Sequence, residues 1–200
     1  MYSKTMRKQR KLYIIPGLGE TTRSKNYKEV IRSAKNEGLL VVPVNILWSA
    51  DKDMSDFIQQ SDSQIPNNIT NDYIFGFSFG AYIASILAKK KKAKGYIFCS
   101  ISPYFKDDLK YVPEESRKYF GKKIMNSFKK YEFPKGLTSS AWFLIGEKDW
   151  KLAIKRAHTS FSKWGSKKEI YIIKGAAHEL TSPNYIKKIS FIIRRLQNFS

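Results

Sequence analysis

Two hundred residues with 42% hydrophobic content and no run of 18 apolar residues fit one soluble globular domain with a substantial core, and exclude a membrane-spanning helix or a second full domain. The formal charge of +20 invites a nucleic-acid or anionic-membrane partner, yet only 8 of the 37 basic residues are arginine, and the lysines are scattered beside many Ile, Asn and Ser. That pattern fits a generally basic surface better than a dedicated phosphate-reading face.

The chain opens on a basic tail, residues 1–11, with Lys4, Arg7, Lys8, Arg10 and Lys11. Only Leu12 to Ile15 follow before Pro16, too short an apolar stretch for a signal peptide, so a cytoplasmic location is expected. "KLYIIPG" predicts a first strand near 12–15, and "SKNYKEVIRSAKNEG" a helix with a serine cap and a stop at Gly38. "GLLVVPVNIL" predicts a strand near 39–47, "DMSDFIQQSD" a short helix, and "DYIFGF" a strand near 73–77. The helix "FGAYIASILAKKKK" ends in Lys89 to Lys92, where cations complement the negative end of the dipole. "GYIFCSI" predicts a strand near 95–101 and holds the single cysteine, Cys99, which reads as an inert buried thiol. Strands near 141–146 and 169–174 then flank a helix around 150–163. A last helix starts at Ser182 and Pro183, with Ile186, Ile189, Ile193 and Leu196 on one apolar face.

These apolar runs are continuous rather than alternating, as in strands covered on both faces, which favours a parallel sheet. Their alternation with helices implies a doubly wound α/β sandwich. Residues 103–140 break the rhythm. That aromatic-rich insertion between two strands forms either a small cap over a cleft or one helix with surface loops packed on the sheet edge.

"YIFGFSFGAY" places Ser78 between Gly76 and Gly80 at a strand-to-helix junction. A serine on so sharp a turn takes a strained backbone, and side chains two positions to either side would strike the neighbouring strand and helix. The turn lifts the hydroxyl beside the positive end of the new helix. A serine hydroxyl is a weak nucleophile that needs a base, and the base needs a carboxylate. Of the two histidines, His178 follows the last strand at the same carboxyl edge, whereas His158 falls mid-helix on a surface position. Asp149 follows the fifth strand in "IGEKD"; Glu147, Asp107 and Asp108 are the other carboxylates within reach of that edge. The backbone amide of Phe79 and one from "IIPGLGE", Leu18 first and Gly19 next, are candidates to hold an oxyanion. That loop lacks both G-x-G-x-x-G and the Walker lysine pattern, which sets nucleotide binding aside.

With "PGLG", "GFSFG", "IGEKD" and "GAAHEL" in this order, the chain from about Leu12 onwards resembles the α/β-hydrolase superfamily in its compact form, with little or no cap. The resemblance implies a mainly parallel six-stranded sheet with helices on both faces, without the amino-terminal strands of larger relatives. It also implies a nucleophile, acid and base at Ser78, Asp149 and His178. Pro16 stands where many members carry histidine before the oxyanion glycine. The activity implied is that of a serine esterase acting on a small-molecule carboxylic ester, with thioesters and amides behind, and with no metal or cofactor. Trp48, Tyr104, Phe105 and Trp150 should lie near the carboxyl edge, where they would either form an apolar substrate pocket or pack beneath loops. The competing class is a non-catalytic protein of the same fold that uses its basic surface for nucleic acid or an acidic partner. A scaffold has no need of all three polar residues at matching loops, which speaks against it.

Overall fold

The inner strands sort their side chains by parity. Leu12 and Ile14 enter one buried cluster, while Tyr13 and Ile15 enter a second on the opposite face, and each run is apolar throughout because both faces are covered. The computed structural model, which describes residues 9–165 and 167–196, shows how. Strands β1 (Lys11–Ile15), β2 (Leu40–Pro43), β3 (Asn68–Phe77), β4 (Lys92–Cys99), β5 (Ser140–Gly146) and β6 (Lys168–Ile173) form one sheet in the order β2-β1-β3-β4-β5-β6. Every neighbouring pair is parallel.

Helices α1 (Lys28–Asn36) and α6 (Pro183–Leu196) cover one face. Helices α2 (Met54–Gln64), α3 (Phe79–Leu87), α4 (Glu114–Phe128) and α5 (Lys151–Lys163) cover the other. The buried stripe of α6 is Tyr185, Ile189, Ile192, Ile193 and Leu196, with Ile186 only half-buried. Residues 197–199 of the helix expected there lie outside the described residues. Because β2 and β3 flank β1 on opposite sides, the chain reverses direction across the sheet at β1, and a crevice opens between the carboxyl ends of β1 and β3.

Four expectations change at the edges. Residues 1–8 of the basic tail lie outside the described residues, but the tail does not run to residue 11: Lys11 opens β1, and Arg10 Nη1 donates to the Leu196 carbonyl at 2.8 Å. The second strand stops at Pro43 instead of residue 47, because the side-chain oxygens of Gln64 and Gln60 take the amides of Asn45 and Leu47. Full coverage also fails at the two edge strands, where Leu40 and Ile172 are exposed. Finally, α3 ends at Leu87, and Lys91 is buried below it. The Lys91 ammonium donates to the carbonyls of Asp62 and Ile65 and to Asn67 Oδ1, and pairs with Asp62 Oδ1 at 2.6 Å. Lys91 therefore ties α2 to the α3–β4 turn rather than acting as a solvated dipole partner.

Within 103–140, a 3₁₀ turn (Lys106–Tyr111) precedes α4, which is broken where Gly121 adopts φ 69°. Phe105 and Phe128 pack on Tyr82 of α3, and Asp108 accepts from Arg156 Nε of α5 at 2.7 Å. Burial pushes the Asp108 carboxyl above its ordinary value, against the pull of the Arg156 guanidinium. Among the described residues, no helix is long and apolar enough to cross a membrane.

Arg156 is 1% exposed, so Arg156→Met leaves a buried carboxylate without its cation. Urea denaturation should show a loss of about 3–5 kcal/mol at neutral pH. Without the guanidinium the folded-state pKa of Asp108 rises further above its unfolded value. The deficit should therefore be largest at neutral pH and shrink as pH falls through that folded value.

Candidate active site

Between β3 and α3 a single residue turns the chain. Ser78 has φ 54° and ψ −119°, a conformation few side-chain-bearing residues adopt and one that costs about 1–3 kcal/mol. The flanking glycines make it accessible. A Cβ on Gly76 would stand 2.5 Å from the Gly80 carbonyl oxygen and 2.6 Å from Ala81 Cα, and one on Gly80 would overlap the Ile15 carbonyl of β1. The helix is thus pressed onto the sheet at backbone contact distance. Ser78 N donates to the Cys99 carbonyl at 2.9 Å, which fixes the turn against β4.

The other two residues arrive on neighbouring loops of the same edge. His178 Nε2 is 3.0 Å from Ser78 Oγ, and His178 Nδ1 is 3.2 Å and 3.1 Å from the two oxygens of Asp149. Asp149 is buried and takes a further bond at 2.9 Å from the Trp150 amide, which leaves its carboxylate well supplied with donors. The Trp150 ring stacks on the imidazole at 4.3 Å between centroids, and Phe77 lies 5.2 Å away. The three alternative carboxylates expected near this edge point elsewhere: Glu147 accepts from the Gly175 amide, Asp107 pairs with Lys163, and Asp108 with Arg156. His158 is exposed on α5.

Leu18 and Phe79 both border the space in front of Ser78 Oγ, and among the described residues neither amide donates to a protein acceptor. Gly19, the second choice for this role, does not border that space. The loop that carries Leu18 is fixed from behind. The Gly17 amide donates to the Tyr27 hydroxyl at 2.8 Å, that hydroxyl donates to Glu20 Oε2 at 2.6 Å, and Asn26 also donates to the Glu20 carboxylate. Burial, reinforced by Glu20, pushes the Tyr27 phenol far above its ordinary value, so it stays a donor.

A cavity of about 1020 Å³ opens from this point, walled by Leu18, Phe79, Tyr104, Phe120, Trp150 and Leu152. Tyr104 and Trp150 thus line the cavity at the carboxyl edge. Trp48 does not line it. Its indole donates to the Glu20 carbonyl at 2.9 Å and packs on Phe57, behind Phe79, so it braces the loop instead of meeting a ligand. Phe105 is likewise buried, against Tyr82 and Phe133. Cys99 is buried, and burial raises its thiol well above the ordinary value. One residue that sequence reasoning passed over does face the site: Ser102, whose Oγ lies 3.0 Å from Ser78 Oγ. Its only sequence signal was its place just after β4, the strand beside β3. Among the described residues, no group of three or more His, Cys, Asp or Glu is placed to hold a metal ion.

No protein-family model and no curated protein matches the sequence. Solved structures do match the fold. Alpha/beta hydrolase domain-containing protein 10 from mouse superposes with a TM-score of 0.72 at 15% identity, over 99% of this chain and 92% of that one. Est1E from Butyrivibrio proteoclasticus gives 0.74 at 12% identity, over 98% and 90%. A monoacylglycerol lipase of Paleococcus ferrophilus gives 0.66 at 16% identity, over 94% of both chains.

The chain has the α/β-hydrolase fold. In this α/β-hydrolase fold the six parallel strands bring Ser78, Asp149 and His178 together from β3, β5 and β6, across 100 residues of sequence between Ser78 and His178.

Because the Gly80 contact is with backbone, Gly80→Ala cannot be absorbed by a rotamer change. It should cost about 1–3 kcal/mol in urea denaturation, with Gly80→Val costing more.

Proposed function

We propose that this protein is a serine hydrolase that cleaves carboxylic esters through an acyl-enzyme. The observation that carries the proposal is the unbroken chain of contacts from Ser78 Oγ to His178 Nε2 at 3.0 Å and from His178 Nδ1 to Asp149 at 3.1 Å, beside a largely apolar cavity. Asp149 holds the imidazole with its proton on Nδ1, which leaves the Nε2 lone pair facing the hydroxyl. As Ser78 Oγ attacks the substrate carbonyl carbon, its proton passes to Nε2, and the carbonyl electron pair moves onto the oxygen. The amides of Leu18 and Phe79 receive that charge, aided by the positive end of α3. Collapse expels the alcohol, which takes the proton from Nε2, and water repeats the cycle on the ester of Ser78.

The name borne by one structural neighbour, a monoacylglycerol lipase, agrees with this reaction class. Tyr104, Phe120, Leu152 and Trp150 would hold the apolar acyl or alcohol part of the ester. Tyr111 to Phe120 supply the outer wall, so the 103–140 insertion would serve as a small cap. The basic surface would then favour anionic esters, without a nucleic-acid partner.

A fluorophosphonate probe should label the protein at Ser78, and Ser78→Ala should abolish the label while the thermal transition stays in place. Well-folded protein that takes no label, yet binds nucleic acid tightly in low salt, would point to a non-catalytic scaffold instead. Asp149→Asn keeps the shape but removes the charge that sets the tautomer. Turnover of p-nitrophenyl esters of graded chain length should fall by up to about 10⁴-fold.

A further inference from the structure

We infer that Ser102 is a further catalytic residue, donating a hydrogen bond to the nucleophile oxygen of Ser78. This rests on the serine hydrolase proposal above. Ser102 Oγ is 3.0 Å from Ser78 Oγ, and both residues are buried, at 3% and 8% exposure, where they line the cavity.

The direction of the bond follows from counting protons. Ser78 Oγ carries one proton and two lone pairs, and His178 Nε2, 3.0 Å away, has only a lone pair when Nδ1 holds its proton against Asp149. The Ser78 proton therefore goes to Nε2. The contact with Ser102 is then satisfied only if Ser102 supplies its own proton to a Ser78 lone pair. The bond fixes the Ser78 hydroxyl with its proton on Nε2 and its second lone pair free for the carbonyl carbon, and it strengthens when Ser78 Oγ departs with its electron pair as the acyl-enzyme is hydrolysed, because hydrogen bonds to charged groups are about twice as strong as neutral ones. Ser102 keeps its proton throughout: the one proton transferred runs from Ser78 to His178 and on to the leaving alcohol.

The position of Ser102 is built rather than incidental. Its amide reaches back to the Ser78 carbonyl at 3.4 Å, and the Ser100 amide two residues earlier is held by the Leu144 carbonyl at 2.8 Å. Ser100 Oγ lies 3.1 Å from the buried Tyr185 hydroxyl, which itself donates to the Leu144 carbonyl. Arg156 holds the loop from the other side, donating to the Ile101 carbonyl at 3.3 Å with its guanidinium 4.8 Å from the centre of the Tyr104 ring. Among the described residues, the hydrogen-bond partner of the Ser102 hydroxyl is the Ser78 oxygen.

The experiment measures the second-order rate of phosphonylation of Ser78 by a small fluorophosphonate, together with kcat and KM on p-nitrophenyl acetate, in wild type, Ser102→Ala, Ser102→Thr and Ser102→Cys. Phosphonylation and kcat should fall by about 10- to 100-fold in Ser102→Ala, with KM within twofold of wild type. Ser102→Thr should recover most of both, since it restores an O–H donor. A packing role would move stability and KM and would not follow the hydroxyl. If the alanine variant does not fold, the near-isosteric cysteine variant decides, because its weak S–H donor should also cost at least about tenfold. Phosphonylation as fast as wild type, or faster, in the folded alanine or cysteine variant would overturn the inference; a faster rate would mean that Ser102 accepts the Ser78 proton and competes with His178. Wild-type protein that takes no label would overturn the hydrolase proposal itself, a separate result.

Discussion

Everything at the carboxyl edge depends on how closely α3 lies on β1 and β3. The contact is backbone against backbone, with no room for a Cβ at Gly76 or Gly80, and it forces Ser78 into its left-handed turn. Move the helix outward and three things change together. The hydroxyl leaves the reach of His178, the Phe79 amide swings away from Leu18, and the Ser102 contact is lost. The strain stored at one residue is tolerable because surrounding hydrogen bonds, such as that from Ser78 N to the Cys99 carbonyl, specify the conformation many times over.

The sheet and the histidine were legible in the sequence for a common reason. A parallel sheet writes itself as buried apolar runs, and its topology sends every following loop to one edge, so "GAAHEL" and "GEKD" could be placed beside "GFSFG" without coordinates. Strand ends were less legible. Gln64 and Gln60 end β2 by capturing its continuing amides from a helix, across 19 and 13 residues of sequence, and no local pattern announces that. The aromatics were the least legible. Trp48 and Trp150 both follow strands, yet one braces a loop through Glu20 and the other stacks on His178. Sequence gives a tryptophan's address but not the direction of its ring.

The charge invited a simple account that the structure divides. Lys91 and Arg156 are buried cations with dedicated acceptors, each joining a helix to a neighbouring segment. Arg195 forks onto Glu169 with two bonds of 2.8 Å, holding the carboxylate below its usual range and fastening α6 to β6. Part of the basic content thus serves internal structure, and a count of lysines and arginines says little about which of them a partner could meet.

The two walls of the cavity differ in how freely their composition can drift. On one side, Leu18 sits on a loop fastened through Gly17, Glu20, Tyr27 and Trp48, and its amide is one of the two proposed to receive the oxyanion, so reshaping that loop would disturb the proposed chemistry and the shape at once. On the other side, Tyr111 to Phe120 belong to the 103–140 insertion, and among the described residues their rings and hydrogen bonds engage Phe79, Tyr104 and Phe128 rather than Ser78, Asp149 or His178. On the proposed function, descendants of this sequence could therefore acquire new substrate tastes by rewriting the insertion while Ser78, Asp149 and His178 stay untouched.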